Sequence, residues 1–122
     1  MHINLETPDP HSIQAYSDKE ITIDSINYKK SVIINRQEII SNWPITSIDQ
    51  LTEELLEPLL RHQPRIIIIG HSQHSGFASP FIFQTLAKHR VGLESMSIGA
   101  ACRTYNILLS EQRDVVLGVI FE

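Results

Sequence analysis

One stretch constrains this chain more than any other: Arg65-Ile66-Ile67-Ile68-Ile69. Four consecutive isoleucines place β-branched side chains on both faces of an extended backbone. Such a strand needs cover above and below, as interior strands of parallel sheets have. The sequence after it predicts that cover. A Gly/Ser/His loop, Gly70 to Ser79, leads into a helix from Pro80 to about His89, with an apolar face that includes Phe81 and Leu86. Val91-Gly92 ends that helix, and Leu93 to Met96 reads as a short strand. Ser97 is placed to cap a further helix, Ile98 to about Glu111. Glu111-Gln112-Arg113-Asp114 then turns into a last strand, Val115 to Phe121. Strand–helix–strand–helix–strand implies parallel pairing with right-handed crossovers.

The first half has a different grain. Ile13 to Tyr16 and Ile21 to Ile23 flank the polar Ser17-Asp18-Lys19-Glu20, the pattern of a hairpin. Ser31 to Ile34 predicts a further strand, with a short segment at Glu38 to Ile40. Pro44 pushes Trp43 towards an extended conformation and marks a change of organisation. Leu51 to His62 reads as helical, with Thr52 as cap and Glu53 and Glu54 at the positive end of the dipole. Pro58 removes a backbone donor and crowds the preceding turn. The expectation is a short helical turn before it and a second helix starting near it. The fold class is therefore α/β: a compact single domain over residues 1–122, layered, with a mixed central sheet, packed helices and a small N-terminal antiparallel β-layer.

Composition fits this reading. A chain of 122 residues buries about two-thirds of its unfolded surface, enough for a core without staples. Its 10 basic and 14 acidic side chains leave a net charge of −4, which argues against nucleic acid as a partner. One cysteine, Cys102, excludes an internal disulfide framework and a four-cysteine zinc site. The opening residues carry Glu6 and Asp9 without the apolar centre of a signal peptide. No apolar run approaches the roughly 20 residues of a membrane span, so direct membrane insertion is not expected.

Several motifs compete for a functional reading. Gly70-His71-Ser72-Gln73-His74 follows a buried strand, as a nucleophile elbow does. It puts histidine where the elbow requires a very small residue, and no carboxylate lies between Ser72 and His89. His71 and His74 lack a visible third metal ligand and read as an exposed, neutral loop pair. Cys102, beside Ala100 and Ala101, reads as a packed structural thiol rather than a nucleophile. In a parallel sheet the Gly70 loop and the Ser97 cap share the C-terminal edge, where open α/β sheets bind ligands. Gly70, Ser72, Phe77, Ser97, Arg103 and Thr104 are the candidate ligand-binding residues there. Arg103 would hold an anion, or else pair with a local acid such as Glu94. No catalytic residue, metal ligand or cofactor is assigned.

Gly92-Leu93-Glu94-Ser95-Met96-Ser97, followed by Ala100-Ala101-Cys102-Arg103-Thr104-Tyr105-Asn106-Ile107-Leu108-Leu109-Ser110-Glu111, closely resembles a widespread family of small α/β domains. That family includes the mitochondrial assembly factor of NADH:ubiquinone oxidoreductase, respiratory complex I, and an animal protein linked to adipocyte differentiation. Trp43, the strand ending in Gly70, Phe77 and Pro80 extend the resemblance over most of the chain. It implies a mixed central sheet with a β-layer to one side, and no enzymatic activity. Three departures stand out. His71-Ser72 replaces the usual Thr-Gly, Ser75 stands where a glutamine is common, and Gln112 replaces a glycine in the usual Glu-Gly-Arg turn. The first two argue against a loop-binding role shared with the family. The last removes a residue that accepts positive φ cheaply, so a different turn type is expected.

Three functional readings follow from the sequence. The first is a non-catalytic accessory or assembly-factor-like protein in a bacterial cytoplasm, acting on a respiratory membrane complex through a protein partner. The second is a small-molecule site for an anionic ligand at the Gly70 loop and Arg103. The third is a homo-oligomer that joins through an exposed strand edge.

Overall fold

A computed structural model describes residues 9–72 and 76–122. In chain order its strands and helices are β1 (Ala15–Tyr16), β2 (Ile21–Ile23), β3 (Ile26–Tyr28), β4 (Val32–Ile34), β5 (Ile39–Ile40), α1 (Glu53–Leu60), β6 (Ile66–His71), α2 (Pro80–Lys88), β7 (Gly92–Met96), α3 (Ile98–Ser110) and β8 (Val115–Ile120). They form a three-stranded antiparallel sheet, β1-β2-β3, and a five-stranded sheet ordered β5-β4-β8-β6-β7. The larger sheet is mixed. Strand β6 runs parallel to β7 and to β8, whereas β4 pairs antiparallel with β8 and β5.

The isoleucine run works as expected, because its two faces feed two cores. Ile66 and Ile68 pack with α3 and the N-terminal layer, beside Ile21, Ile23, Tyr105 and Leu109. Ile67 and Ile69 pack on the other face, with Trp43, Leu56, Leu59, Ile82 and Leu86. Helix α3 links β7 to β8 and so must cross over β6, which lies between them. Gly70 permits that crossing. A Cβ there would stand 2.8 Å from Ala101 Cβ and 3.2 Å from Ile98 Cα. Gly118 does the same on the opposite face, where a Cβ would meet the Trp43 ring at 2.8 Å.

Four local expectations change. Pro58 does not split α1, which runs through it from Glu53 to Leu60. In so short a helix it forfeits only the bond to the Glu54 carbonyl, which sits in the exposed first turn and can turn to water. Strand β6 does not stop at Ile69 but carries Gly70 and His71, paired with Val119 and Ile120 of β8. Phe81 is not on the packed face of α2; Ile82 and Leu86 fill it, and Phe81 is 55 % exposed. The Gln112 turn keeps the left-handed conformation, at φ 62°. Arg113 N–H donates to the Leu108 carbonyl (3.0 Å) and Gln112 N–H to that of Leu109 (3.1 Å), closing α3 in a Schellman motif with glutamine at the glycine position.

The antiparallel layer is tied to α3 by side chains. Ile13 N–H donates to Asn106 Oδ1 (2.8 Å), and Asn106 Nδ2 donates to the Ile13 carbonyl (2.9 Å). Tyr105 Oη donates to the His11 carbonyl (3.1 Å). No helix among the described residues is long and apolar enough to cross a membrane.

Candidate functional site

The C-terminal ends of β6 and β7 lie side by side, with Gly70 opposite Met96 in the register. The chain leaves both strands there, so the edge gathers the loop after His71 and the start of α3. A cleft of about 440 Å³ opens at this edge, lined by Asp18, His71, Ser72, Gly76, Phe77, Ser95, Met96 and Ser97. Asp18 comes from the β1–β2 turn, so the antiparallel layer supplies one rim. Ser97 caps α3, accepting from Ala100 N–H at 3.3 Å. Its hydroxyl proton is left available, as are the first amides of the helix.

The candidate residues divide. Ser72, Phe77 and Ser97 line the cleft. Gly70 lies just behind it, where its role is the close passage of α3. Arg103 and Thr104 are not brought into it. Thr104 Oγ1 reaches Met96 Sδ at 3.6 Å. Arg103 turns to the N-terminal layer, where Nη1 donates to Tyr16 Oη (2.7 Å) and the guanidinium lies 5.8 Å from the Tyr16 ring centroid. Its protein partner is therefore a phenol of β1, not Glu94. A guanidinium over a ring gains from the quadrupole as well as from the hydroxyl.

His71 departs most from expectation. It is not an exposed loop residue: it ends β6 and is only 8 % exposed. Strand alternation puts it on the face of Ile67 and Ile69. Its Nδ1 is buried without a hydrogen-bond partner among the described residues, which leaves a polar atom desolvated and uncompensated there. That burial lowers the pKa of the imidazole from its ordinary value, favouring the neutral ring. His74 lies outside the described residues. Asp18, Ser95 and Met96 also line the cleft without having been singled out in the sequence. The signal for His71 was its position two residues beyond Ile69 on a strand whose pairing continues.

Cys102 is fully buried, and burial pushes its thiol up to about 12, with the Arg103 charge opposing only in part. A thiol so held is packed and unreactive. No cluster of three or more metal-ligating side chains occurs among the described residues. A second groove of about 490 Å³ is lined by Trp43, Pro44, Ile45 and Phe121, with Lys29 and Lys30 beside them. Its Ser31 hydroxyl is already paired, donating to the Ile45 carbonyl (2.6 Å) and accepting from Phe121 N–H (2.9 Å).

The fold and this edge define a class: a small α/β domain with a mixed five-stranded sheet, a three-stranded antiparallel layer and a cleft beside the cap of α3. Residues 13–120 match a protein family of unknown function (DUF498/DUF598), and the chain belongs to that family. It is similar to a solved Xanthomonas campestris protein, with 30 % identity, a TM-score of 0.82, and coverage of 98 % of this chain and 92 % of that one. A Bordetella pertussis protein described as a Mth938-like domain shares the fold, with 23 % identity, a TM-score of 0.80, and coverage of 98 % and 90 %. The chain is also similar to a "13 kDa major membrane protein" of Francisella tularensis subsp. holarctica (strain LVS), 27 % identical over 94 residues, 76 % of each chain.

Proposed function

We propose that this protein is a non-catalytic accessory factor that works by binding a protein partner. The observation that carries the reading is the exposure of three phenylalanines within seven residues. Phe77 is 76 % exposed, Phe81 55 % and Phe83 49 %, all on α2 or the segment leading into it. Large exposed aromatic side chains are what the cores of protein interfaces are enriched in. Ile82 and Leu86 already anchor α2 to the sheet, so the phenylalanines are not needed for its docking. Phe81 and Phe83, two residues apart on α2, flank the packed Ile82 on opposite sides, so they offer a partner separate aromatic anchors rather than one patch.

The resemblance to the complex I assembly factor is what supports subunits of a respiratory membrane complex as the partner's class. The Francisella relative is called a membrane protein, and a cytoplasmic accessory factor held at the membrane by its partner would be recovered with membranes without a span of its own. The net charge of −4 accords with a protein partner rather than nucleic acid.

The test is affinity capture from gently solubilised native membranes, with the wild-type protein and a Phe77→Ser/Phe81→Ser/Phe83→Ser variant in parallel. The expected result is co-recovery of respiratory complex subunits with the wild type, loss of them with the variant, and lower complex I content after deletion. Recovery of the wild type only as a free species, with normal complex I content after deletion, overturns the reading.

A further inference from the structure

We propose that the cleft at the β6–β7 edge binds a small oxyanion, a carboxylate or phosphate, and that His71 is one of its recognition residues. The cleft shares Phe77 with the partner surface, but the proposal rests on polar groups inside the cleft and not on that ring. Three observations converge. The first is the buried Nδ1, unpartnered among the described residues, of a residue that lines the cleft and is only 8 % exposed. Native chains seldom keep such an orphan where an apolar residue would fit, and an unsatisfied group commonly has a task.

The second is the start of α3. Its 13 residues give a full dipole, and the N–H groups of Ile98 and Gly99 have no acceptor within the helix. Ser97 satisfies the third amide, that of Ala100, and keeps its own proton to donate. The third is the density of hydroxyl groups: Ser72, Ser95 and Ser97 all line the same space. Amides at a positive helix end together with hydroxyl donors form a preorganised oxyanion cradle. A neutral imidazole adds a hydrogen bond without a counter-charge. Asp18 at the rim supplies a negative charge, so the cradle suits a small or singly charged anion better than a dense polyanion. A volume of about 440 Å³ lies in the range of small-metabolite sites.

The experiment titrates the full chain with inorganic phosphate and, separately, with acetate, following backbone amide shifts and the His71 ring nitrogens. Saturable shifts at Ile98, Gly99 and His71 are expected, and the tighter of the two probes distinguishes phosphate from carboxylate chemistry. His71→Leu removes the orphan, so its thermal midpoint is expected to equal or exceed that of the wild type while the dissociation constant rises at least about tenfold, the loss of one good hydrogen bond. A histidine with a purely structural role gives the reverse, a lower midpoint and unchanged titration. Ser72→Ala, at a half-buried position, provides a second variant and should weaken binding several-fold. The proposal is overturned if neither anion shifts these amides up to tens of millimolar, or if the two variants titrate as the wild type does.

Discussion

Gly70→Ala is the sharpest test of how α3 sits on the sheet. The new Cβ would lie 2.8 Å from Ala101 Cβ and 3.2 Å from Ile98 Cα. Ordinary carbon contacts sit near 3.5–4.0 Å, so the first pair falls short by roughly 1 Å. Neither neighbour can swing away: Ala101 has no rotamer, and the Ile98 atom is backbone. The helix must lift from β6 instead. Overpacking costs about 1–3 kcal/mol, and a clash with rigid groups belongs in the upper part of that range. Replacing glycine returns about 0.5–1 kcal/mol of chain entropy. The net loss is about 2 kcal/mol, which lowers the melting temperature of a domain this size by about 8 °C. In urea, with a slope near 2 kcal/mol/M, the midpoint falls by about 1 M. Trp43, the chain's one tryptophan, is 3 % exposed against Gly118 and reports unfolding by fluorescence. Adding Ala101→Gly removes the nearer clash but leaves Ile98, so a double-mutant cycle should show a favourable coupling of about 1 kcal/mol. A Gly70→Ala midpoint within 0.3 M of wild type (~0.6 kcal/mol at that slope), or a coupling near zero, would refute the packing argument.

Four further outcomes follow from particular contacts. Asn106→Ala breaks both bonds to Ile13 and should cost about 1–3 kcal/mol in urea unfolding, with faster amide exchange at Ile13. Gln112→Gly relieves a left-handed glutamine and should raise stability by up to about 1 kcal/mol; a lower midpoint contradicts the Schellman assignment. Cys102, held up at about 12 against 9.0 for the free thiol, should have a thiolate fraction roughly a thousandfold lower at pH 8 and resist alkylation until the protein is unfolded. Because the folded thiol keeps its proton longer than the unfolded one, that stability is complete below pH 9 and lost as pH rises towards 12. His71 has the opposite sign. Its depressed pKa means that the unfolded chain takes up a proton the folded one refuses, so stability falls as pH drops below 6.5, and His71→Leu should flatten that acid limb in a pH series of urea melts.

The architecture was readable from the sequence where local pattern and tertiary demand agree. Four isoleucines need two layers, and the alternation of β-branched runs with capped helices leaves few arrangements other than parallel crossovers. Thr52 and Ser97 both cap as their spacing suggests, accepting from Leu55 and Ala100 N–H at 3.3 Å each. The order of strands was not readable, because it depends on which neighbour β8 chooses. That choice is settled by Leu117, Gly118 and Val119 pairing with both β4 and β6, contacts 49 residues or more apart in sequence. Pro58 misled because the rule for proline in a long helix was applied to one of eight residues, where a single bond is at stake.

The candidate site shows the same division at finer scale. Ser72, Phe77 and Ser97 line the cleft, Ser72 and Ser97 because the end of β6 and the start of α3 put them there. Arg103 turns away from it, because a long side chain takes its direction from whatever tertiary partner lies within reach. Its partner is Tyr16, 87 residues away, and no local pattern announces a phenol lying over that turn of α3. His71 was misjudged for a different reason. Its neighbours Gly70 and Ser72 are loop formers, and composition alone ends the strand at Ile69. Parallel pairing with β8 extends it by two residues, because Val119 and Ile120 still offer backbone partners there. That extension turns an apparent loop histidine into the last inward residue of a buried strand. An apolar residue at this position would satisfy the core and leave no orphan. A histidine there costs the fold something, and the cleft beside it supplies the reason to keep it.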